Sequence, residues 1–419
     1  MTFDIIVIGS GITGSSFAKK ISPYAKTLLL EENEQIPIRT NVFPEHNKPY
    51  IDVDYADKDI FPHDHIKTNY MGKEKDGIVN SNEFGDPLGK ISHTENLITH
   101  LLNKFRDNGG IVNLNKKISR INRKTDYVEV FTSDGDIFKS KVLVLATGSR
   151  ALEIQRSLGF DTPDSYMGIY THLYGTESQI KENFDFQYMF HINSNISENG
   201  PFFFNVGRDR VIAGFLGNNG ETEAEVVDKL DRILKNYKYI QPYMKGLKRS
   251  EKPFFSGKIS KHPIMKKSQD RMLVLGEAAG LVTAFFYEGL LSGLVSAQCA
   301  FDTLKPLFQN SSNFNSQELS EYDKKIEASL STYYKNGEAC ESLFYDAGSS
   351  TKTLWNTYIK LINESKKLRK QIWEAYRMPD VSKYDISRDM WAGEQLFSKL
   401  PTFSKITLSP RFLKLKFNF

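Results

Sequence analysis

Six residues near the start of the chain, Gly9-Ser10-Gly11-Ile12-Thr13-Gly14, carry its most specific chemistry. At this spacing the first glycine permits a tight turn, the second lets a ligand approach the backbone, and the third lets a helix pack closely on a strand. The free amides opening that helix carry a partial positive charge, so the arrangement suits an anion such as a pyrophosphate. Glu31 ends the second apolar run, Lys26-Thr27-Leu28-Leu29-Leu30. A carboxylate there accepts hydrogen bonds from ribose hydroxyls and repels a 2′-phosphate, which leaves NAD or FAD as the ligand and disfavours NADP.

A second motif chooses between these two. Arg271-Met272-Leu273-Val274-Leu275 has the pattern of a buried strand and runs into Gly276-Glu277-Ala278-Ala279-Gly280. Glu288-Gly289-Leu290-Leu291-Ser292-Gly293 then opens a helix. An acid at the end of such a strand can hold ribityl hydroxyls or bridge phosphates, and the helix start at Gly289 can direct its amides at a flavin pyrimidine edge. The ligand expected is FAD.

The elements needed to position these residues are legible around them. Residues 3–8 form a short β-branched run, a helix is predicted over 15–21 with Pro23 as its stop, and a buried strand follows over 26–30, together a βαβ unit. Residues 33–90 are polar, with little periodicity, and read as a long excursion with short elements, whose length marks it as a functional loop region. A helix is predicted from His93 to Asn108, followed by short strands at 111–114, 127–132 and 137–139, and a separate buried strand at 141–145. Between about 161 and 256 the pattern turns to aromatic-rich strands with one helix, which Thr222 and Glu225 would open with a capping box. The chain is then mainly helical to about Pro379 and irregular beyond.

Composition excludes several classes. The 419-residue chain is 40% hydrophobic and 25% charged, with a net charge of +4, too small to indicate a nucleic-acid partner. Mean hydropathy is −0.43 and no apolar stretch reaches spanning length. With Met1-Thr2-Phe3-Asp4 offering no basic start to a secretory signal, a cytoplasmic setting is expected. Cys299 and Cys340 are too few for a multi-cysteine metal site, and no metal is expected; they read as buried, inert thiols. After Glu394 the tail has no acid and alternates Lys405, Arg411, Lys414 and Lys416 with apolar residues, a pattern suited either to a membrane surface or to a terminal strand or arm packed on the body.

With these residues in view, the sequence resembles the flavoproteins related to p-hydroxybenzoate hydroxylase, and within them the geranylgeranyl reductase family. Ile5 to Glu31 is similar to the family's N-terminal dinucleotide fold. Lys141 to Gly148 is similar to its strand ending in Ala-Asp/Thr-Gly, and Gly276-Glu277-Ala278-Ala279-Gly280 through Glu288-Gly289 to its Gly-Asp-Ala-Ala-Gly … Gly-Glu-Gly block. Residues 257–260 resemble the strand that crosses back from the substrate sheet. Glu277 stands where Asp is usual, Ala284-Phe285-Phe286 where the reductases have Asn-Pro-Leu/Ile, and Tyr287 where they have Gly. The Cys that many members carry near residues 38–41 is missing.

The resemblance implies an α/β fold: a Rossmann-like FAD-binding domain (1–155 and 259–310), an inserted antiparallel β-sheet substrate domain (156–258), and a C-terminal helical region with the basic tail (311–419). It implies FAD contacts from Gly9, Ser10, Gly11, Ile12, Thr13, Gly14, Glu31, Glu32, Arg39, Ile118, Thr147, Gly148, Gly276, Glu277, Ala279, Gly280, Gly289 and Leu290. It further implies hydride transfer to a carbon–carbon double bond of a prenyl lipid, with Phe203, Phe215, Phe285, Phe286 and Tyr287 as substrate wall, beside Phe202 and Phe204. Tyr287, Glu288 and His262 fall near the expected flavin face, and no catalytic acid or base is assigned. With no second Gly-rich unit, electrons would come from a transiently bound NAD(P)H or a small redox protein. A flavin monooxygenase and a catalytically inactive flavin- or lipid-binding protein are the alternatives. A halogenase is disfavoured, because Trp355, Trp373 and Trp391 are far apart and form no Trp-x-Trp-x-Ile-Pro signature.

Overall fold

The computed structural model describes residues 2–252, 254–310, 312–345 and 348–418, the side chains of 414–418 excepted. The first strand, Thr2–Ile8, is central to an eight-stranded sheet because nearly all its side chains are buried on one face or the other. It pairs in parallel with Thr27–Leu30 on one side and Ile137–Leu145 on the other, and the sheet continues in parallel to Ile111–Asn113 and to Met272–Val274. The helix Ile12–Ile21 returns the chain between the first two strands and packs on Leu290–Gln309. A Rossmann-like layer results, with the expected Gly-rich turns at the carboxyl ends of its strands.

The two strands expected at 137–139 and 141–145 are one, Ile137–Leu145. Nothing between Lys139 and Lys141 breaks an extended chain, so its first half takes the antiparallel hairpin partner Val128–Thr132 and its second half joins the parallel sheet. The strand Ile118–Arg123, which sequence patterning missed, completes that hairpin sheet.

The second sheet is built on Ser165–Tyr174, flanked by Arg210–Leu216 and by the returning strand Phe255–Ser260. It is antiparallel except at one junction, where Tyr188–His191 pairs in parallel with Lys67–Tyr70. Lys67–Tyr70 and its partner Gly77–Asn80 are among the short elements of the long excursion over residues 33–90. Two helices, not one, lie on this sheet: Glu223–Asn236, with the expected Thr222/Glu225 capping box, and Glu177–Phe184, capped the same way by Thr176 and Gln179. Thr40–Pro44, Gly89–His93 and His63–His65 form a small third sheet.

The C-terminal region is helical past Pro379. Ile386–Lys399 and Thr402–Asn418 replace the expected irregular end; the last of these is a helix rather than a terminal strand, and it packs on the body through Leu408 and Arg411. Within the tail, the side chains of Lys414, Leu415, Lys416 and Phe417, and all of Phe419, lie outside the described residues. The helices dock on the polar 67–93 stretch: Trp355 Nε1 donates to the Met71 carbonyl at 2.9 Å, Trp373 Nε1 to Asp86 at 2.8 Å, and Arg369 makes a forked pair with Glu83. Trp355, Tyr70 and Phe190 are buried together beneath them.

One buried pair joins sheet to sheet. Arg210 reaches from the second sheet to Glu95 on the helix Thr94–Asp107, and its Nε donates to Thr40 Oγ1 at 2.8 Å. The two side chains are 7% and 16% exposed, so removing one leaves the other desolvated and unpaired. Arg210→Ala is therefore expected to lower unfolding free energy by roughly 3 kcal/mol, measured by urea denaturation.

Candidate functional site

The Gly-rich turn leaves the first strand with no room for side chains. Gly9 has φ +104°, and a Cβ there would overlap the Ala146 carbonyl oxygen of the neighbouring strand end. A Cβ on Gly14 would overlap the Gly9 carbonyl oxygen. Gly11 is the opposite case: a Cβ there meets nothing within 4 Å, so its backbone faces open space at the start of the helix Ile12–Ile21. No acidic side chain occupies that helix's first turn. This is the geometry of an anion cradle.

Glu31 braces the turn. Its Oε2 accepts from Ser10 N at 2.8 Å and Ser10 Oγ at 2.9 Å, and its Oε1 accepts from Asn33 N at 2.9 Å and Asn33 Nδ2 at 2.6 Å. Only 9% exposed, the carboxylate thus ties the end of the second strand to the cradle. Glu32 and Arg39 are exposed at its rim, and Ile118 lines the same wall.

Across the cradle lies the turn Gly276–Ala279. Gly276, with φ +61°, and Gly293 both crowd the Thr13 side chain, which fixes the two strand-to-helix turns against each other. Gly280, with φ +72°, backs onto the His262 carbonyl oxygen. Gly14, Gly276, Ala279 and Gly280 therefore shape the site from behind, whereas Gly9, Ser10, Gly11, Ile12, Thr13, Thr147, Gly148, Glu277, Gly289 and Leu290 line it. The Glu277 carboxyl is buried, and burial pushes its pKa up against the lowering fields of Arg39 and Arg150. Glu277 Oε1 and Thr147 Oγ1 are buried with no protein partner. Unsatisfied buried polar atoms facing a cavity mark a place for a polar ligand.

The segment 284–288 forms the next wall. Phe285 and Tyr287 both adopt left-handed backbone, φ +78° and +53°, a conformation that disfavours bulky side chains. Tyr287 thus holds the conformation of the glycine that the resemblance led one to expect there. Its hydroxyl donates to Glu341, and Phe286 between the two strained residues is 36% exposed toward the cavity. Thr283 N and Oγ1 both donate to the Glu288 carbonyl, closing the turn. Glu288 Oε1 accepts from Leu291 N at 3.0 Å, its Oε2 is buried without a partner, and burial raises its pKa.

Phe203, Phe285, Phe286 and Tyr287 line the cavity, and Phe215 borders it. The side chain of Phe215, unlike the substrate wall expected of it, shares the other face of the second sheet with Phe202 and Phe204 and fills its core, because Phe203 pairs with Gly214 and side chains alternate along a strand. His262 is also displaced from its expected position: its side chain is 58% exposed, 4.0 Å from Glu338, and does not line the cavity.

The cavity encloses about 1560 Å³ and runs from the cradle to the C-terminal helices. That exceeds the roughly 300–1,000 Å³ of an ordinary single-ligand pocket. It is also lined by residues that no sequence motif announced, among them His46, Gln371, Tyr376 and Asp389. His46 Nδ1 lies 3.2 Å from the Ala375 carbonyl, and burial lowers its pKa to about 4. The Asp389 carboxyl is pushed up to about 6 by burial, and its Oδ2 has no partner. Cys299 and Cys340 are both free, and burial raises both thiols, that of Cys299 to about 11.

This arrangement has solved relatives. A geranylgeranyl bacteriochlorophyll reductase-like protein from Thermoplasma acidophilum superposes with a TM-score of 0.74 at 17% identity, over 91% of this chain and 98% of that one. The fold is theirs. The halogenase PltM, solved with phloroglucinol and FAD, matches with a TM-score of 0.70 at 15% identity over 99% of this chain and 96% of its own. The p-nitrophenol 4-monooxygenase PnpA from Pseudomonas putida matches with a TM-score of 0.65 at 13% identity, over 90% and 99%. No family model matches the chain, and no curated protein matches it by sequence. Among the described residues, no helix is long and apolar enough to cross a membrane.

Asp389 gives the site a pH signature. Its folded pKa of about 6 lies above the ordinary 3.8, so the folded state holds the proton more tightly. The resulting stability is complete below about pH 4 and is lost as pH rises through 6. Tyr384 and Arg388 face the carboxyl and lower its pKa, while Asp385 raises it further. Asp389→Asn is expected to remove part of the fall in urea midpoint that the native protein shows between pH 4 and pH 6 (compared with the ordinary carboxyl and the folded value).

Proposed function

We propose that the chain is an FAD-dependent oxidoreductase whose cofactor lies across the Gly-rich cradle and whose substrate occupies the remainder of the same cavity. The observation that carries this reading is the open face at Gly11 opposite the buried, unpartnered Glu277 Oε1 and Thr147 Oγ1. The phosphates would rest on the amides opening the helix Ile12–Ile21, with Ser10 and Glu31 toward the ribose. Glu277 would hold polyol or phosphate groups, and the helix Leu290–Gln309 would present its amino end to the ring system. Arg39, Ile118 and Glu32 would form the rim. Bound there, FAD supplies hydride chemistry that no side chain can provide.

The protein's own contribution is to enclose, orient and protonate. Phe203, Phe285, Phe286 and Tyr287 form an aromatic wall that excludes water beside the cradle. Glu288 Oε2, buried and raised in pKa, is positioned to hold a proton next to that wall. The substrate class we assign is a prenyl-bearing lipid, one carbon–carbon double bond of which gains a hydride at one carbon and a proton at the other. The cavity volume beyond the needs of one ligand and its aromatic wall support this assignment. NAD(P)H or a small redox protein would supply the electrons.

Gly11→Val separates binding from folding, since the space its side chain would fill is empty of protein. The variant is expected to fold with near-native thermal stability yet to bind FAD at least tenfold more weakly by flavin fluorescence titration, because it blocks the phosphate approach. For the reaction, anaerobic incubation of reduced protein with geranylgeranyl lipids is expected to add two mass units per bond reduced. Gain of one oxygen atom under air with NAD(P)H would instead establish a monooxygenase. Glu288→Gln is expected to lower turnover roughly 100-fold while leaving flavin uptake unchanged.

A further inference from the structure

Where the turn Glu45–Tyr50 meets the helices Lys366–Tyr376 and Ile386–Lys399, joined by His46 to the Ala375 carbonyl and by Arg388 to Glu374, three buried hydrogen-bond acceptors lining the cavity are left without partners on three separate elements. His46 Nε2 comes from the turn Glu45–Tyr50, Gln371 Oε1 from the helix Lys366–Tyr376, and Asp389 Oδ2 from the helix Ile386–Lys399. His46 is an acceptor by necessity: the Ala375 carbonyl beside Nδ1 can only accept, so the ring hydrogen sits on Nδ1 and Nε2 offers a lone pair. The ring's lowered pKa keeps it neutral. An unsatisfied buried polar group costs about 1–3 kcal/mol, and three in one chamber form a set that a ligand donor would complete.

The cations that the C-terminal region contributes to the cavity already have carboxylate partners. Arg388 pairs with Glu374 at 3.3 Å and Asp385 at 3.6 Å, Arg377 with Asp86 at 3.1 Å, and Lys383 with Asp380 at 3.4 Å. An added phosphate would meet three acceptors and cations whose charge is already balanced, which is unfavourable. A bare hydrocarbon end would bury those acceptors without satisfying them.

We propose that this chamber is the recognition site for the polar end of the substrate, and that this end donates hydrogen bonds, as a hydroxyl or a protonated amine does, while an anionic head group is rejected. The inference deepens the preceding reading, because it rests on an organic substrate sharing the cavity with the cofactor, and it states which end of that substrate the C-terminal helices select.

The test uses the full chain and four probes that share one twenty-carbon geranylgeranyl chain: the alcohol, the amine, the diphosphate and the hydrocarbon. Binding is measured by isothermal titration with and without added FAD. The alcohol or the amine is expected to bind at least tenfold more tightly than the diphosphate and the hydrocarbon. Asp389→Leu is expected to erase that preference; Asp389→Asn, which keeps an acceptor but loses the charge, is expected to spare the alcohol and weaken the amine. Gln371→Leu, expected to reduce the same preference, carries the test should Asp389→Leu fail to fold. Equal or tighter binding of the diphosphate or hydrocarbon, a preference untouched by either leucine variant, or binding of none of the four would overturn the proposal. Loss of flavin uptake with the head-group preference intact would overturn the cofactor reading alone, and flavin uptake without the preference would overturn this one alone.

Discussion

Everything in this protein is arranged around one contact in which backbone touches backbone with no side chain between. The ends of the strands Thr2–Ile8 and Ile137–Leu145 meet the first turn of the helix Ile12–Ile21 at Gly9, Gly14 and Ala146, where any Cβ on either glycine would overlap a carbonyl oxygen. That closeness sets how deeply the helix sits on the sheet, and so where its free amides point. Gly11, one turn residue away, is unconfined. The same short segment therefore contains both tight packing and open backbone, and the difference is what makes a cradle.

The second constraint is how the C-terminal helices close the cavity. They share one apolar cluster with that stretch, in which Val79 and Leu88 meet Leu354, Ile359, Ile362 and Leu368, and they add polar contacts around it. Trp355, Trp373, Arg369 and Arg377 reach backbone carbonyls and carboxylates of residues 71–87, while Trp355 and Tyr70 fill the core beneath. Polar docking of this kind satisfies the irregular backbone of that stretch, whose carbonyls would otherwise be buried without partners. It also brings helices late in the chain against the strained segment 285–287, so Tyr287 donates to Glu341 and Tyr345 to the Phe285 carbonyl. The left-handed backbone at Phe285 and Tyr287 is held by these contacts, as a costly conformation must be.

Around the cavity, burial without partners recurs. Glu277, Glu288 and Asp389 each have a buried, unpartnered oxygen, and burial raises the pKa of all three. Such groups lower the stability of the protein standing alone, and a bound polar ligand offsets that cost. All three line the same cavity, on three separate elements.

Much of this was set by local sequence. The spacing of Gly9, Gly11 and Gly14 between an apolar run and a helix, with Glu31 closing the next strand, determined the βαβ unit and the cradle, because each step depends on neighbours within one supersecondary unit. The Thr222 capping box was equally local. Tertiary structure alone decided that residues 67–80 belong to the second sheet, since their edge strands are short, polar and paired with a segment more than a hundred residues away. It also decided that Phe203 faces the cavity while Phe202 and Phe204 face the core, and that His262 turns to solvent. His46, Gln371 and Asp389 carry no motif; only the packing of distant elements brings their side chains into one chamber, and no spacing along the chain encodes that distance.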